Sequence, residues 1–268
     1  MDVTSQLEWH PQLRDPTGCR TFKPRSCGIT MVIDKGLGLH AFEDLLETSA
    51  SYIDLLKIGF GTTPLYPVGL LKRKIELARE YQVATMPGGT FLEVAVAQHT
   101  LTDFFDTIGR LGFTAVEVSD GTIEMDRSVR NSLIRRAREA GLTVYTEYGK
   151  KLWGSVINTE QLLETVLFDL QHGAELVTIE ARESGEGVGI FDADGECRDE
   201  ELRSILGQLP DPGRILWEAP QKQQQIHLLK IAGCSVNLGN IAPQDVYSLE
   251  SLRRGLRSDT FLHPQPER

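Results

Sequence analysis

Glutamates that recur at the ends of β-rich runs, one of them followed by two adjacent lysines, are the residues of this chain with the types and spacing to do chemistry. The clearest case is Thr143-Val-Tyr-Thr-Glu-Tyr-Gly-Lys-Lys151, a β-branched and aromatic run that ends in a carboxylate, a glycine and two cations. Strand side chains alternate between faces. If Val144, Thr146 and Tyr148 meet a covering layer, then Tyr145, Glu147, Gly149 and Lys151 face the opposite way. Seven further runs line up with it: Ile29–Asp34, Tyr52–Gly59, Val83–Gly89, Ala115–Gly121, Leu176–Ala181, Arg214–Pro220 and Ser235–Ile241. The same alternation, with the more apolar residues turned outward, leaves Asp34, Lys57, Glu117, Glu180, Glu218 and Asn237 on the face of Glu147. Each is expected near the C-terminal end of its strand. Buried carboxylates brought together repel unless a cation neutralises them. Oxygen ligands without clustered His or Cys favour a hard ion such as Mg²⁺ over zinc. Glu117, Glu147 and Glu180 are the expected ligands, with Asp34 and Glu218 as alternates.

Such convergence requires a particular frame. Helical periodicity fills the intervals between the runs, so eight strands alternate with helices, which predicts a parallel sheet closed as a (β/α)8 barrel whose C-terminal strand ends share one mouth. In 66–82, Val68, Leu71, Ile75 and Ala78 form an apolar stripe, with Lys72, Arg73, Glu76 and Glu80 outside it. In 127–140 the stripe is Val129, Leu133, Ala137 and Ala140, with Asp126 as a cap and Gly141 as a left-handed stop. A third helix is expected over 159–172, ended by Gly173, and a last one over 243–257. Residues 1–22 read as an irregular arm, 23–262 as the barrel and 263–268 as a tail.

The loops after the strands supply further candidates. Gly89 and Thr90, in Pro87-Gly-Gly-Thr90, let a backbone approach a ligand and lead into a helix N-terminus that favours anions. Arg182 stands in a glycine-rich stretch, Glu180–Gly189, with the character of an oxyanion-holding loop. Gly239 and Asn240, after the eighth strand, lie where barrels often hold phosphate. Lys57 is the basic group expected among the carboxylates, whereas Arg253, Arg254 and Arg257 read as structural cations near a helix C-terminus.

The 268 residues suit one barrel, and 40% hydrophobic with 25% charged residues is an ordinary globular composition. A formal net charge of −10 opposes adsorption to nucleic acid or an anionic membrane. No apolar run reaches the roughly 18–20 residues of a membrane span, and Met1–Cys19 is too polar for a signal peptide. A cytoplasmic protein is expected, with Cys19, Cys27, Cys197 and Cys234 as reduced thiols that lack metal-type pair spacing.

Lys23-Pro-Arg25, Met31-Val-Ile-Asp-Lys-Gly36, Tyr52-Ile-Asp54, Pro87-Gly-Gly-Thr90, Val116-Glu-Val-Ser-Asp-Gly121, Glu147-Tyr-Gly-Lys-Lys151, Glu180-Ala-Arg-Glu-Ser184, Trp217-Glu-Ala-Pro-Gln-Lys222, Asn237-Leu-Gly-Asn240 and Ser248–Thr260 together resemble the phosphosulfolactate synthase family. The resemblance runs from about Lys23 to Phe261. It implies the barrel fold and a carbon–sulfur lyase activity, the Mg²⁺-dependent addition of sulfite to phosphoenolpyruvate on a coenzyme M or sulfolactate pathway. It also implies a general-acid lysine in the pair Lys150 and Lys151, beside Glu147. A lysine whose pKa is lowered by a neighbouring cation suits that role, and alternation turns Lys151 inward. Lys57, Arg182, Arg25, Gly239, Asn240, Asn237, Gly89 and Thr90 are the expected binders of the anionic substrates, and a homo-oligomer is the expected assembly. One departure stands out: after Lys151 the family commonly carries a longer, more charged loop, and here Leu152–Asn158 is short and partly apolar. A barrel that adds another nucleophile to phosphoenolpyruvate or a related enol phosphate is therefore the alternative enzyme. A non-catalytic binding role, like that associated with a heat-tolerance branch of the family in plants, is the alternative of another class.

Overall fold

The computed structural model describes residues 9–261. In chain order the strands are β1 (Thr30–Asp34), β2 (Leu55–Ile58), β3 (Ala84–Pro87), β4 (Ala115–Val118), β5 (Thr143–Tyr148), β6 (Ser155–Val156), β7 (Leu176–Ile179), β8 (Val188–Gly189), β9 (Ile215–Glu218) and β10 (Asn237–Ile241). The helices are α1 (Pro11–Arg14), α2 (Leu39–Ser49), α3 (Val68–Glu80), α4 (Gly89–Ala97), α5 (Leu101–Leu111), α6 (Arg127–Glu139), α7 (Thr159–His172), α8 (Asp199–Gln208), α9 (Lys222–Ala232) and α10 (Val246–Arg253).

Eight strands form one parallel sheet in the order β3-β2-β1-β10-β9-β7-β5-β4, which curls into a nearly closed barrel. The seam between β3 and β4 is bridged by Thr114, which donates its N–H to the Thr85 carbonyl (3.2 Å) and accepts the Thr85 N–H on its hydroxyl (3.0 Å). The expected (β/α)8 class is therefore observed. β6 and β8 belong to the loops that follow β5 and β7, and pair with each other in parallel, Ser155 with Val188 and Val156 with Gly189.

Ile29, Met31, Leu55, Met86, Ala115, Leu176 and Leu216 cluster inside the barrel and form the floor on which the mouth rests. The opposite faces of the same strands, with Val32, Leu56, Val177 and Leu238 among them, pack under the helices. Two helix readings shift by part of a turn. Val68 and Val129 are exposed and so is Ala140, while Lys74 and Arg130 are buried instead. Both cations are drawn inward by buried carboxylates, Asp34 and Asp169, which an apolar-stripe reading does not register. Asp126 occupies the N-cap of α6 without making a side-chain cap bond. α7 falls where expected and ends at Gly173 in the left-handed region. The final helix is shorter than expected: a turn of 3₁₀-helix over Pro243–Asp245 precedes α10, which stops before Gly255.

The N-terminal arm begins exposed, with Trp9 and α1 at the surface, and is tied to the barrel from Arg14 to Arg20. Arg20 pairs with Glu250 (2.9 Å) and donates to the Gly28 carbonyl (2.7 Å). The expected tail, 263–268, and the first eight residues lie outside the described part of the chain. Among the described residues no helix is long and apolar enough to cross a membrane.

Candidate active site

Lys57 is the hub of the mouth. Its register on β2, inward with Leu55, sends a buried ammonium across the barrel to Glu117 on β4 (2.8 Å), Glu218 on β9 (3.3 Å) and Glu147 on β5 (3.4 Å). Glu147 also bonds Lys151, which lies 3.0 Å from Glu180 as well. The four glutamates are between 1% and 2% exposed. Three of the four also accept a backbone N–H. The Gly89 N–H, the first of α4, donates to Glu117 (2.7 Å), the Ala181 N–H donates to Glu218 (3.0 Å), and the Arg182 N–H donates to Glu180.

This cluster lines a cavity of about 270 Å³ whose wall also includes Gly88, Gly89, Thr90, Arg182, Asn240, Phe60, Ile33 and Glu183. A side chain at Gly89 has no room, since its Cβ would stand 2.5 Å from the Ser119 hydroxyl. Arg182 and Asn240 both sit at positive φ, and the Asn240 amide donates to the Arg182 carbonyl (3.3 Å), so the loops after β7 and β10 are tied together at the rim. Phe60 and Glu183 are lining residues that strand alternation could not find, because both lie in loops beyond the strand ends.

Burial and charge pull these groups apart. Burial and the carboxylates of Glu147 and Glu218 push Glu117 up to about 7 against the opposing pull of Lys57. Burial alone would raise Glu147 too, but Lys151 and Lys57 on either side outweigh it and hold Glu147 below the usual carboxylate range. Burial together with Glu147 and Glu218 raises Glu180 well above that range. Burial disfavours both ammonium groups, and their glutamate neighbours more than reverse it, so Lys57 and Lys151 are both raised.

Five expected site residues are placed elsewhere. Asp34 faces outward, because Met31 and Ile33 take the inner positions of β1, and it pairs with Lys74 of α3. Asn237 points inward but opens β10 instead of closing it, so it sits at the far end of the barrel and bonds the Ile29 N–H (3.0 Å) and the Gly213 and Ile215 carbonyls. Gly239 is packed inside the barrel, where a Cβ would meet Leu216 at 2.4 Å and Met31 at 2.6 Å, and offers no amide to the mouth. Arg25 pairs with Asp54, just before β2, at the end opposite the mouth (2.8 Å). Lys150 turns away from Lys151 to the Asp120 carbonyl (2.8 Å) and Glu124 (3.2 Å). The expected lowering of the Lys151 pKa by Lys150 is thereby corrected: the nearest charges to Lys151 are carboxylates.

Four glutamates against two lysines leave the inner cluster formally two charges negative, and every donor atom it offers a metal is a carboxylate oxygen. Oε2 of Glu180 is buried, and its approach to Lys151 lacks the direction of a hydrogen bond. A hard divalent cation fits this donor set.

The family model for (2R)-phospho-3-sulfolactate synthase (ComA) matches residues 19–259. A phosphosulfolactate synthase of Methanothermobacter thermautotrophicus is 41% identical over 244 residues, which cover 90% of this chain and 94% of the relative. One from Bacillus subtilis is 36% identical over 91% of this chain and 96% of its own. Among solved structures, the YdjI aldolase of Escherichia coli superposes with a TM-score of 0.55 at 10% identity, covering 89% of this chain and 92% of that one, a likeness of fold alone.

Proposed function

The chain belongs to the (2R)-phospho-3-sulfolactate synthase family, and on that footing we propose that it is a carbon–sulfur lyase that adds sulfite to phosphoenolpyruvate to give (2R)-phospho-3-sulfolactate, with Mg²⁺ as its cofactor. The observation that carries the reading is the position of Lys151, a cation in the cavity held between Glu147 and Glu180. It offers a proton donor within a carboxylate cluster that borders the cavity.

In this reaction the sulfur lone pair forms a bond to the methylene carbon, and the π electrons move onto the carboxylate. The adjacent carbon then takes a proton. The phosphate ester stays intact and nothing leaves. Glu117, Glu147 and Glu180, with Glu218 in reserve, would hold Mg²⁺, which when bound would supply charge stabilisation at the substrate carboxylate. Lys57 keeps the glutamates together, since its ammonium is shared among three of them. Lys151 delivers the proton to carbon. Lys150, which donates to the Asp120 and Ile123 carbonyls, is not assigned that step. Arg182, exposed at the rim, presents a planar fork to an oxyanion. Thr90 in the first turn of α4 stands where a helix N-terminus favours phosphate. Asn240 positions the Arg182 loop through the bond to its carbonyl.

The test is a paired assay of phosphoenolpyruvate and inorganic phosphate. With sulfite and Mg²⁺ the enol absorbance should fall with no phosphate released, and EDTA should abolish the loss. Full turnover in EDTA, or phosphate released in step with phosphoenolpyruvate, would overturn the proposal.

A further inference from the structure

The hairpin that follows the loop of Arg182 brings a thiol, a carboxylate and an imidazole to one point on the flank of the barrel. Its turn is held by Asp192, whose Oδ1 accepts the N–H groups of Asp194 and Glu196, both at 2.9 Å. Phe191 pairs with Cys197 across the hairpin, and Arg198 donates its N–H to the Ile190 carbonyl (2.9 Å), so the backbone around Cys197 is fixed. Asp199 is the first residue of α8. His227 lies midway along α9, which is anchored by buried Ile226, Leu228 and Leu229. Two segments, the hairpin strand that runs into α8 and the middle of α9, therefore deliver Cys197 Sγ, an Asp199 oxygen and a His227 ring nitrogen to within 4.8 Å of one another.

One detail argues against reading this as an ordinary ion pair. Nε2 of His227 is closed off from solvent, and Asp199 Oδ1 lies 2.6 Å away, yet the approach lacks the direction of a hydrogen bond. Donor atoms that crowd together without aligning on each other are arranged as ligands are.

We infer that Cys197, Asp199 and His227 form a second metal site, separate from the mouth, for a borderline divalent cation of the zinc class. Thiolate, imidazole and carboxylate are the donors that zinc accepts in a tetrahedral shell, with a water in the fourth position. Mg²⁺, which prefers oxygen ligands in an octahedron, is excluded by the same donors. The thiolate and carboxylate together balance the charge of a divalent ion. Metal–ligand distances of about 2.0–2.2 Å in a tetrahedral shell place nitrogen and oxygen roughly 3.4 Å apart. The 2.6 Å His227–Asp199 contact must therefore open by roughly 0.8 Å, a side-chain adjustment. An ion there joins the hairpin beyond Arg182 to α9, the helix that follows Glu218. It acts as a clamp on the far end of the mouth loop and takes no part in the chemistry.

Co²⁺ tests this directly, because it adopts zinc-like coordination and a bound thiolate gives it a charge-transfer band in the near ultraviolet. The full chain, stripped with chelator, is titrated with Co²⁺ in excess Mg²⁺, which occupies the mouth. The inference predicts a band that saturates at one ion per chain, is removed by Zn²⁺, and is absent in Cys197→Ser. His227→Ala and Asp199→Asn should each weaken Co²⁺ binding on the order of 10–100-fold or more. Asp199 is exposed, so its variant decides the matter even if the Cys197 variant fails to fold. The absence of a band in the wild type, an equal band in Cys197→Ser, or wild-type affinity in both His227→Ala and Asp199→Asn would overturn the inference.

Discussion

Lys150 and Lys151 are adjacent in the chain and point to different places, because successive residues leave an extended backbone on opposite sides. Lys151 enters the cavity between Glu147 and Glu180, and Lys150 caps the carbonyls of Asp120 and Ile123. Lys151→Met should therefore lower kcat by about 10²–10⁴-fold, the usual cost of losing a general acid. Lys150→Met should keep turnover within a few fold, and steady-state kinetics on the two variants separates the roles. Equal losses in both would sink the assignment. Glu117 makes a second prediction at this scale. Because burial and neighbouring carboxylates hold it up to about 7, a proton competes there with a metal ion. Mg²⁺ affinity should rise as Glu117 loses its proton near neutrality, and each pH unit below the pKa should weaken it by up to about tenfold. Calorimetric titrations that give the same affinity a unit above and a unit below would contradict the assignment of Glu117 as a ligand.

Among the elements, the strand ends and the first turn of α4 set the site. Gly89 matters as the first residue of α4, since its N–H orients Glu117 and it packs where a methyl group cannot fit beside Ser119. Gly89→Ala should push the helix start away and loosen Glu117, with turnover reduced by up to about 10²-fold and Mg²⁺ affinity reduced alongside it. Unchanged kinetics in that variant would show that the α4 terminus is not part of the site. The strands also explain what the sequence made legible. In β2, β4, β5 and β9 one face is plainly apolar, so alternation places Lys57, Glu117, Glu147 and Glu218 correctly. β1 is apolar on both faces, Met31 and Ile33 inward and Val32 outward, so the pattern could not decide which side Asp34 takes. Its partner Lys74 was equally hidden, a charged residue within an outwardly ordinary helix. Asn237 and Gly239 misled for another reason: alternation gives a face and no height, and both lie below the mouth level reached by Asn240. Arg25 had no neighbouring pattern at all, and its partner Asp54 is fixed only by the fold.

At the scale of the whole molecule, charge is sorted between the two ends of the barrel. The mouth gathers glutamates around two lysines, while the far end is held by arginines. Arg253, 1% exposed, donates to the carbonyls of Cys234 (2.6 Å), Val236 (2.7 Å) and Ile29 (3.3 Å), and so pins β10 against β1. Burial, with Arg20 nearby, brings its pKa down to about 9. Arg20 and Arg25 join the same end through Glu250 and Asp54. In a chain of net charge −10, the structural cations are thus gathered at one end and the acidic cavity, with Arg182 at its rim, at the other.

Phosphorus NMR of phosphoenolpyruvate incubated with the protein and Mg²⁺, with and without sulfite, tests the central claim most directly. The account predicts a new phosphate-ester signal that appears only with sulfite, grows as the enol phosphate signal declines, leaves no inorganic phosphate, and is lost with Lys151→Met while persisting with Lys150→Met. A folded, Mg²⁺-loaded protein that leaves phosphoenolpyruvate untouched, or that forms the ester only when a nucleophile other than sulfite is supplied, would contradict it.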